Sequence, residues 1–181
     1  NAVMRVVDRH IRNRYIRTTA ASIKKRGMHD LSLYMRRDIA ETPEGTRYAY
    51  QFDLKSFYDM IDGDFIMSCV RHLFKDKRLT DILSSCVYSH EGLVKGRRSS
   101  QSLANLLLSV HLDHYLKDEL GVRYFYRYCD DGLVLSHSKE YLWQIRDLIH
   151  QRMDTIHLTV KPNERVYPIT EGIDMLGYVV Y

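Results

Sequence analysis

The chain has 181 residues, 45% hydrophobic and 28% charged, enough for one domain with a real core. Its 27 basic and 23 acidic side chains leave a net charge of +4, which permits a polyanionic partner without demanding one. Three cysteines (Cys69, Cys86, Cys129) lack paired spacing, which argues against a disulfide framework or zinc site and for a reducing, cytoplasmic compartment; no signal peptide, long apolar span, repeat or low-complexity segment is visible.

Positive charge clusters early, in "RHIRNRYIR" and "KKRG". Residues 1–18 interleave basic residues with Val, Ile and Tyr at helical spacing. Asp30 is placed to cap a helix running to about Ile39, which Glu41-Thr42-Pro43-Glu44-Gly45 stops. "TRYAYQFDL" alternates and is aromatic, so a strand is expected to end near Asp53. "GDFIMSCVRHLF" and "LTDILSSCVYSH" read as short helices and "EGLVKGRR" as a loop. "SSQSLANLLLSVHLDHYLKDEL" predicts a helix with Leu103, Leu106, Leu107 and Val110 on its apolar face.

"VRYFYRY" and "GLVLSH" predict two strands joined by Cys129-Asp130-Asp131-Gly132 as a hairpin. Lys139 to Met153 is amphipathic, and "HLTV", "RVYPI" and "IDMLGYVVY" read as short strands. Antiparallel strands mixed with packed helices give the α+β class. The chain starts without Met and stops after an apolar run, so a piece of a longer protein is expected.

Asp130 and Asp131 are like charges side by side where the chain otherwise builds buried strands. A divalent cation between them makes the pair favourable, with Asp53 as the second acid source at another strand end. An acidic Asp-Gly turn is the plain alternative, and the dipeptide alone leaves both open. His111-Leu112-Asp113-His114 could share a helix face, but no third metal ligand is in view.

"FDLKSFYDMI", "GRRSSQSLAN" and "YCDD", in that order, resemble the palm of a reverse transcriptase. "KKRGMH" is similar to the basic Gly-His element near the fingers of bacterial retroelement enzymes, and "GIDMLGYVV" to the strand after the palm. The resemblance covers about residues 15–181. It implies an α+β polymerase palm, ferredoxin-like, with an antiparallel sheet, packed helices and part of a helical fingers region. The implied division is 1–46 partial fingers, 47–90 first palm part, 91–105 junction loop and helix start, and 106–181 second palm part, with the thumb absent. Gly96-Arg97-Arg98-Ser99-Ser100-Gln101 is similar to the Gly-x-x-x-Ser-Gln form of diversity-generating retroelements, which copy a template RNA with errors at adenines; group II intron-like enzymes usually carry Gln-Gly-x-x-x-Ser-Pro. Lys95 departs from both patterns.

The resemblance implies addition of dNTPs to a primer 3′-hydroxyl with two Mg²⁺ ions, Mn²⁺ substituting. Asp53, Asp130, Asp131 and the Leu54 carbonyl would be the metal ligands. Tyr58 would be the steric gate beneath the sugar, with Phe57 beside it in the core; Gly96, Ser100 and Gln101 would complete the dNTP site. Lys24, Lys25, Arg26, Arg97, Arg98, Tyr128 and Cys129 would meet template or primer. The usual Lys after the palm helix is missing: Glu164 falls near its slot, and Lys161 is the candidate general acid. Implied partners are an RNA template, a DNA or RNA primer, dNTPs, and an accessory protein or structured RNA, with no membrane. The competing reading is a weak or inactive nucleic-acid-binding palm fragment of a retroelement or phage-defence protein. A nucleotide cyclase would carry Gly-Gly-Asp-Glu-Phe, and an RNA-dependent RNA polymerase more often Gly-Asp-Asp.

Overall fold

The computed structural model describes residues 2–175 and 177–181, with the side chains of Ala2 and Arg98 outside that description. Leu176 of the Leu-Gly-Tyr sequence therefore lies outside the described residues. In chain order the elements are α1 (Ala2–Arg12), β1 (Thr19–Ala20), α2 (Met28–Glu41), β2 (Tyr48–Phe52), α3 (Phe57–Met60), α4 (Gly63–Leu73), α5 (Lys77–Val87), α6 (Arg98–Leu108), β3 (Tyr124–Tyr128), β4 (Asp131–Ser136), α7 (Lys139–Asp154), β5 (Arg165–Pro168), β6 (Ile173–Met175) and β7 (Tyr178–Val180). The class is α+β, as the mixture of periodicities implies.

Five strands form one sheet in the order β1-β3-β4-β2-β5, and β6 and β7 form a separate hairpin. All neighbours in the main sheet are antiparallel except β1 and β3, which run parallel. Alternation along the strands sends side chains to two cores. Tyr50, Phe52, Phe125 and Val134 join the larger core with residues of α1, α4, α6 and α7. Ala49, Tyr124, Tyr126, Leu133 and Leu135 face the other way, onto α2 and the β6–β7 hairpin. The sheet is therefore covered on both faces, which is why its strands read as nearly continuous apolar runs. Among the described residues, no helix is long and apolar enough to cross a membrane.

Four expectations change. "IDMLGYVVY" is not one strand but the two strands of the β6–β7 hairpin. Asp30 does not cap α2: the helix starts at Met28 after Gly27, and Asp30 takes a paired hydrogen bond from Arg17 at 2.8 and 3.0 Å. "HLTV" forms only an isolated bridge, Val160 against Leu54. The long helix from Arg98 widens into π-helical turns at Ser109–Asp113 and Tyr115–Glu119. The wider turns rotate the inward face, so Leu112, Leu116 and Asp113 are buried while Val110, expected inside, is 38% exposed.

Candidate active site

The β3–β4 hairpin is tighter than expected. Tyr128 pairs with Asp131, so the turn is only Cys129-Asp130, with Cys129 at φ +57°. Phe52 pairs with Gly132 across β2–β4, and that register places Asp53, one residue on, opposite Asp131. Acids far apart in sequence thus meet at one end of the sheet. The Phe52 ring lies over Gly132, where any Cβ would overlap it, so this glycine is required beside Asp131.

Crowding shows in the proton affinities. Burial, then the charges of Asp53 and Asp130, push the Asp131 carboxyl up to about 6, against the opposing effect of Lys161. Burial also raises Asp130, with Asp53 adding to it and hydrogen bonds from Cys129 and its own backbone opposing. One Asp53 oxygen, Oδ1, is buried without a hydrogen-bond partner; the other, Oδ2, is ion-paired with Lys161 Nζ.

Backbone pairing fixes that lysine. Lys161 N–H donates to the Asp53 carbonyl and Lys55 N–H to the Thr159 carbonyl, each at 2.8 Å. These bonds flank the Leu54–Val160 bridge and leave the Leu54 carbonyl out of the ladder. A cleft of about 280 Å³ opens here, lined by Gln51, Phe52, Asp53, Asp131, Asn163 and Arg165. Asn163 and Arg165 carried no expected role, because nothing local in "KPNERVY" marks which residues turn toward the acids.

Tyr58, on α3, reaches the same hairpin: its hydroxyl lies 3.4 Å from Cys129 Sγ. Burial and that contact raise its phenol, and burial pushes the Cys129 thiol up to about 11, so it stays a neutral contact. Phe57 is buried, as expected of a core residue. The loop before α6 is tied to α3, because Leu93 N–H donates to the Tyr58 carbonyl at 2.7 Å and Lys95 pairs with Asp59 at 2.8 Å. The unusual Lys95 thus has a partner inside the chain.

Gly96 turns at φ +81° in open space, Arg97 precedes α6 exposed, Ser100 is buried and Gln101 is half-buried in its first turn. The Arg98 side chain lies outside the described residues. Lys24 and Lys25 are the exposed tip of a small turn closed by an Ile23–Arg26 bridge. Arg26 turns back and donates to the Ile16 carbonyl at 2.9 Å. Tyr128 packs partly against the α2 core.

Glu164 is directed away from the acids. It accepts from Tyr50 at 2.5 Å and Arg146 at 2.9 Å, with His150 also 2.9 Å away, and so fastens β5 to α7. Behind the hairpin, fully buried Arg127 makes a bidentate pair with Asp113 at 2.6 and 2.7 Å and donates to the Cys129 carbonyl at 2.6 Å. Sequence reading missed this pair. The signal was a lone Arg in the inward register of an otherwise apolar strand.

Among the described residues, no three His, Cys, Asp or Glu side chains are already gathered into a metal cage. The residues present nevertheless fit a hard cation: one buried Asp53 oxygen lacks a partner, two neighbouring carboxyls hold protons unusually tightly, and the Lys161 ammonium already supplies positive charge at Asp53. Oxygen donors of this kind suit a hard cation such as Mg²⁺, which keeps part of its own shell.

A family profile described as "Reverse transcriptase (RNA-dependent DNA polymerase)" matches residues 2–180. No curated protein matches the sequence. Among solved structures, apo telomerase from Candida tropicalis superposes with a TM-score of 0.76 at 13% identity, over 99% of this chain and 39% of that one. Telomerase from Candida albicans in complex with a TWJ fragment of telomeric RNA gives 0.76 at 13% identity, over 99% of this chain and 36% of that one. The chain thus spans well under half of these structures, and at such identity the likeness is one of fold.

Proposed function

We propose a function from one premise: the chain belongs to the reverse transcriptase (RNA-dependent DNA polymerase) family. It is the palm and part of the fingers of an enzyme that extends a primer 3′-hydroxyl with dNTPs on an RNA template. The observation that carries this is the convergence of Asp53, at the end of β2, with the Asp130-Asp131 hairpin through the Phe52–Gly132 register. Residues 1–46 are assigned to the fingers, 47–90 and 106–181 to the palm, and 91–105 to the junction.

Asp53, Asp130 and Asp131, with the Leu54 carbonyl, would hold two Mg²⁺ ions, Mn²⁺ substituting. Bound there, the ions would activate the primer hydroxyl and stabilise the leaving pyrophosphate. The chain's own contribution is placement and charge. Tyr58, braced against Cys129, would sit beneath the sugar and exclude a ribose 2′-hydroxyl. Lys161 holds a proton beside Asp53, where it can pass to the departing pyrophosphate. Lys24 and Lys25 meet template phosphates, with Arg97 at the junction. The Gly-x-x-x-Ser-Gln loop favours a diversity-generating retroelement as the source.

The test is primer extension by the intact protein on poly(rA)–oligo(dT) with Mg²⁺ and dTTP. Activity that disappears in Asp130→Asn with folding and duplex affinity retained supports the assignment. Undiminished extension by that variant rejects it.

A further inference from the structure

Asn105 and Arg127 lie between two parts of the proposed site, the Lys24–Lys25 turn and the Cys129-Asp130 turn, whose backbones also meet where Cys129 N–H donates to the Ala20 carbonyl at 3.5 Å. Asn105 is 4% exposed, and Arg127, Asp113 and Thr19 are fully buried. A buried ion pair is a poor source of stability, because desolvating both charges offsets their attraction; its better-attested use is to specify one arrangement. Here the specified arrangement is the hairpin turn. Cys129 is a non-glycine residue in the left-handed region, and its carbonyl is held by Arg127 Nη1 at 2.6 Å. Asp113 fixes the guanidinium on its far side, and Thr19 Oγ1 donates to Asp113 at 2.7 Å.

Asn105 extends this network to the basic turn. Its Oδ1 accepts from Arg127 Nη1 at 3.0 Å and its Nδ2 donates to the Ala21 carbonyl at 3.2 Å. The amide orientation is forced, since a guanidinium only donates and a carbonyl only accepts. Ala21 begins the Lys24–Lys25 turn: its N–H donates to the Arg26 carbonyl at 3.3 Å, and Ala21, Ser22 and Lys25 all have positive φ. Three non-glycine residues in that region make a turn whose shape depends on its anchors. A hydrogen-bonded path therefore runs from Arg26, at the base of the Lys24–Lys25 turn, through Ala21, Asn105 and Arg127 to the carbonyl preceding Asp130. Parallel β1–β3 pairing flanks it, with Arg127 N–H on the Thr18 carbonyl at 3.0 Å.

We propose that Asn105 and Arg127 are positioning residues that couple the Lys24–Lys25 turn to the Cys129-Asp130 turn, so that an RNA template phosphate held by the lysines sets the geometry of the reacting acids. This rests on the proposed polymerase reading, from which the test separates it. Template–primer affinity and single-turnover dTTP incorporation at saturating duplex are measured in the intact protein on poly(rA)–oligo(dT). The variants are Lys24→Ala/Lys25→Ala, Asn105→Ala and their combination.

The lysine variant is expected to lose about tenfold in affinity and to flatten its salt dependence. It is also expected to incorporate about tenfold more slowly when saturated, although neither lysine touches the acids. In the Asn105→Ala background both losses should shrink to less than about twofold, a dependence that general loosening would not produce. Losses that multiply independently would overturn the coupling, whether or not the wild type extends primers. A wild type that binds duplex yet extends nothing overturns the polymerase reading, and the affinity losses of the three variants then decide the coupling between the turns: independent losses overturn it and a dependence on Asn105 supports it. If Asn105→Ala does not fold, Asn105→Ser takes its place, since one hydroxyl cannot hold both partners in the amide's geometry.

Discussion

At Asp131, folding raises a carboxyl to about 6 from an ordinary 3.8. The folded state therefore binds more protons than the unfolded chain between about pH 4 and 6, and this group's contribution to stability falls as pH rises through that window. The carboxyl is only partly buried, so after screening the cost above pH 6 is on the order of 1 kcal/mol. Asp131→Asn removes it. Without metal at pH 7, that variant should melt roughly 2–4 °C higher than wild type in a calorimetric scan while losing primer extension. A lower melting temperature would mean that burial and the neighbouring acids do not disfavour the charged carboxylate. Tyr58→Ala should raise the ratio of ribonucleotide to deoxyribonucleotide incorporation, measured with rUTP and dTTP; an unchanged ratio removes Tyr58 as the gate. Asp53, Asp130 and Asp131 were legible because short motifs mark them. No local pattern marks Lys161, because its placement depends on backbone pairing with residues 53–55.

The strands and helices follow the periodicity of the sequence except where a partner distant in the chain decides. β1 is two residues long and exists because β3 lies alongside it, which no local pattern announces. The π-helical turns after Leu108 rotate the buried face in a way that a fixed 3.6-residue period cannot capture. Two substitutions on that helix test the rotation by urea unfolding. Val110→Lys should change stability by no more than about 0.5 kcal/mol, and Leu112→Ala should cost roughly 2–5 kcal/mol. The reverse ranking would restore an uninterrupted α-helical face. In the hairpin, Gly132→Ala forces a methyl into the Phe52 ring and should cost about 1–3 kcal/mol, with Asp131 displaced and extension reduced.

Across the whole molecule, one sheet covered on both faces presents three acids at the strand ends and turns its basic turn and α6 toward the same hairpin. Most of that architecture was legible, because nearly every strand carries aromatic or β-branched runs and turn residues separate them. The buried Arg127–Asp113–Asn105 network was not, since its members lie on β3, a π-turn and α6 and meet only in three dimensions. The central claim is that Asp53 and Asp130 act together on one reaction. The most direct measurement is single-turnover extension of oligo(dT) on poly(rA) with Mg²⁺ and dTTP by the intact protein, by Asp53→Asn and by Asp130→Asn, with template–primer affinity measured alongside. Both variants should bind duplex about as wild type does and extend at least about a thousandfold more slowly; extension within tenfold of wild type by either one would contradict a shared site.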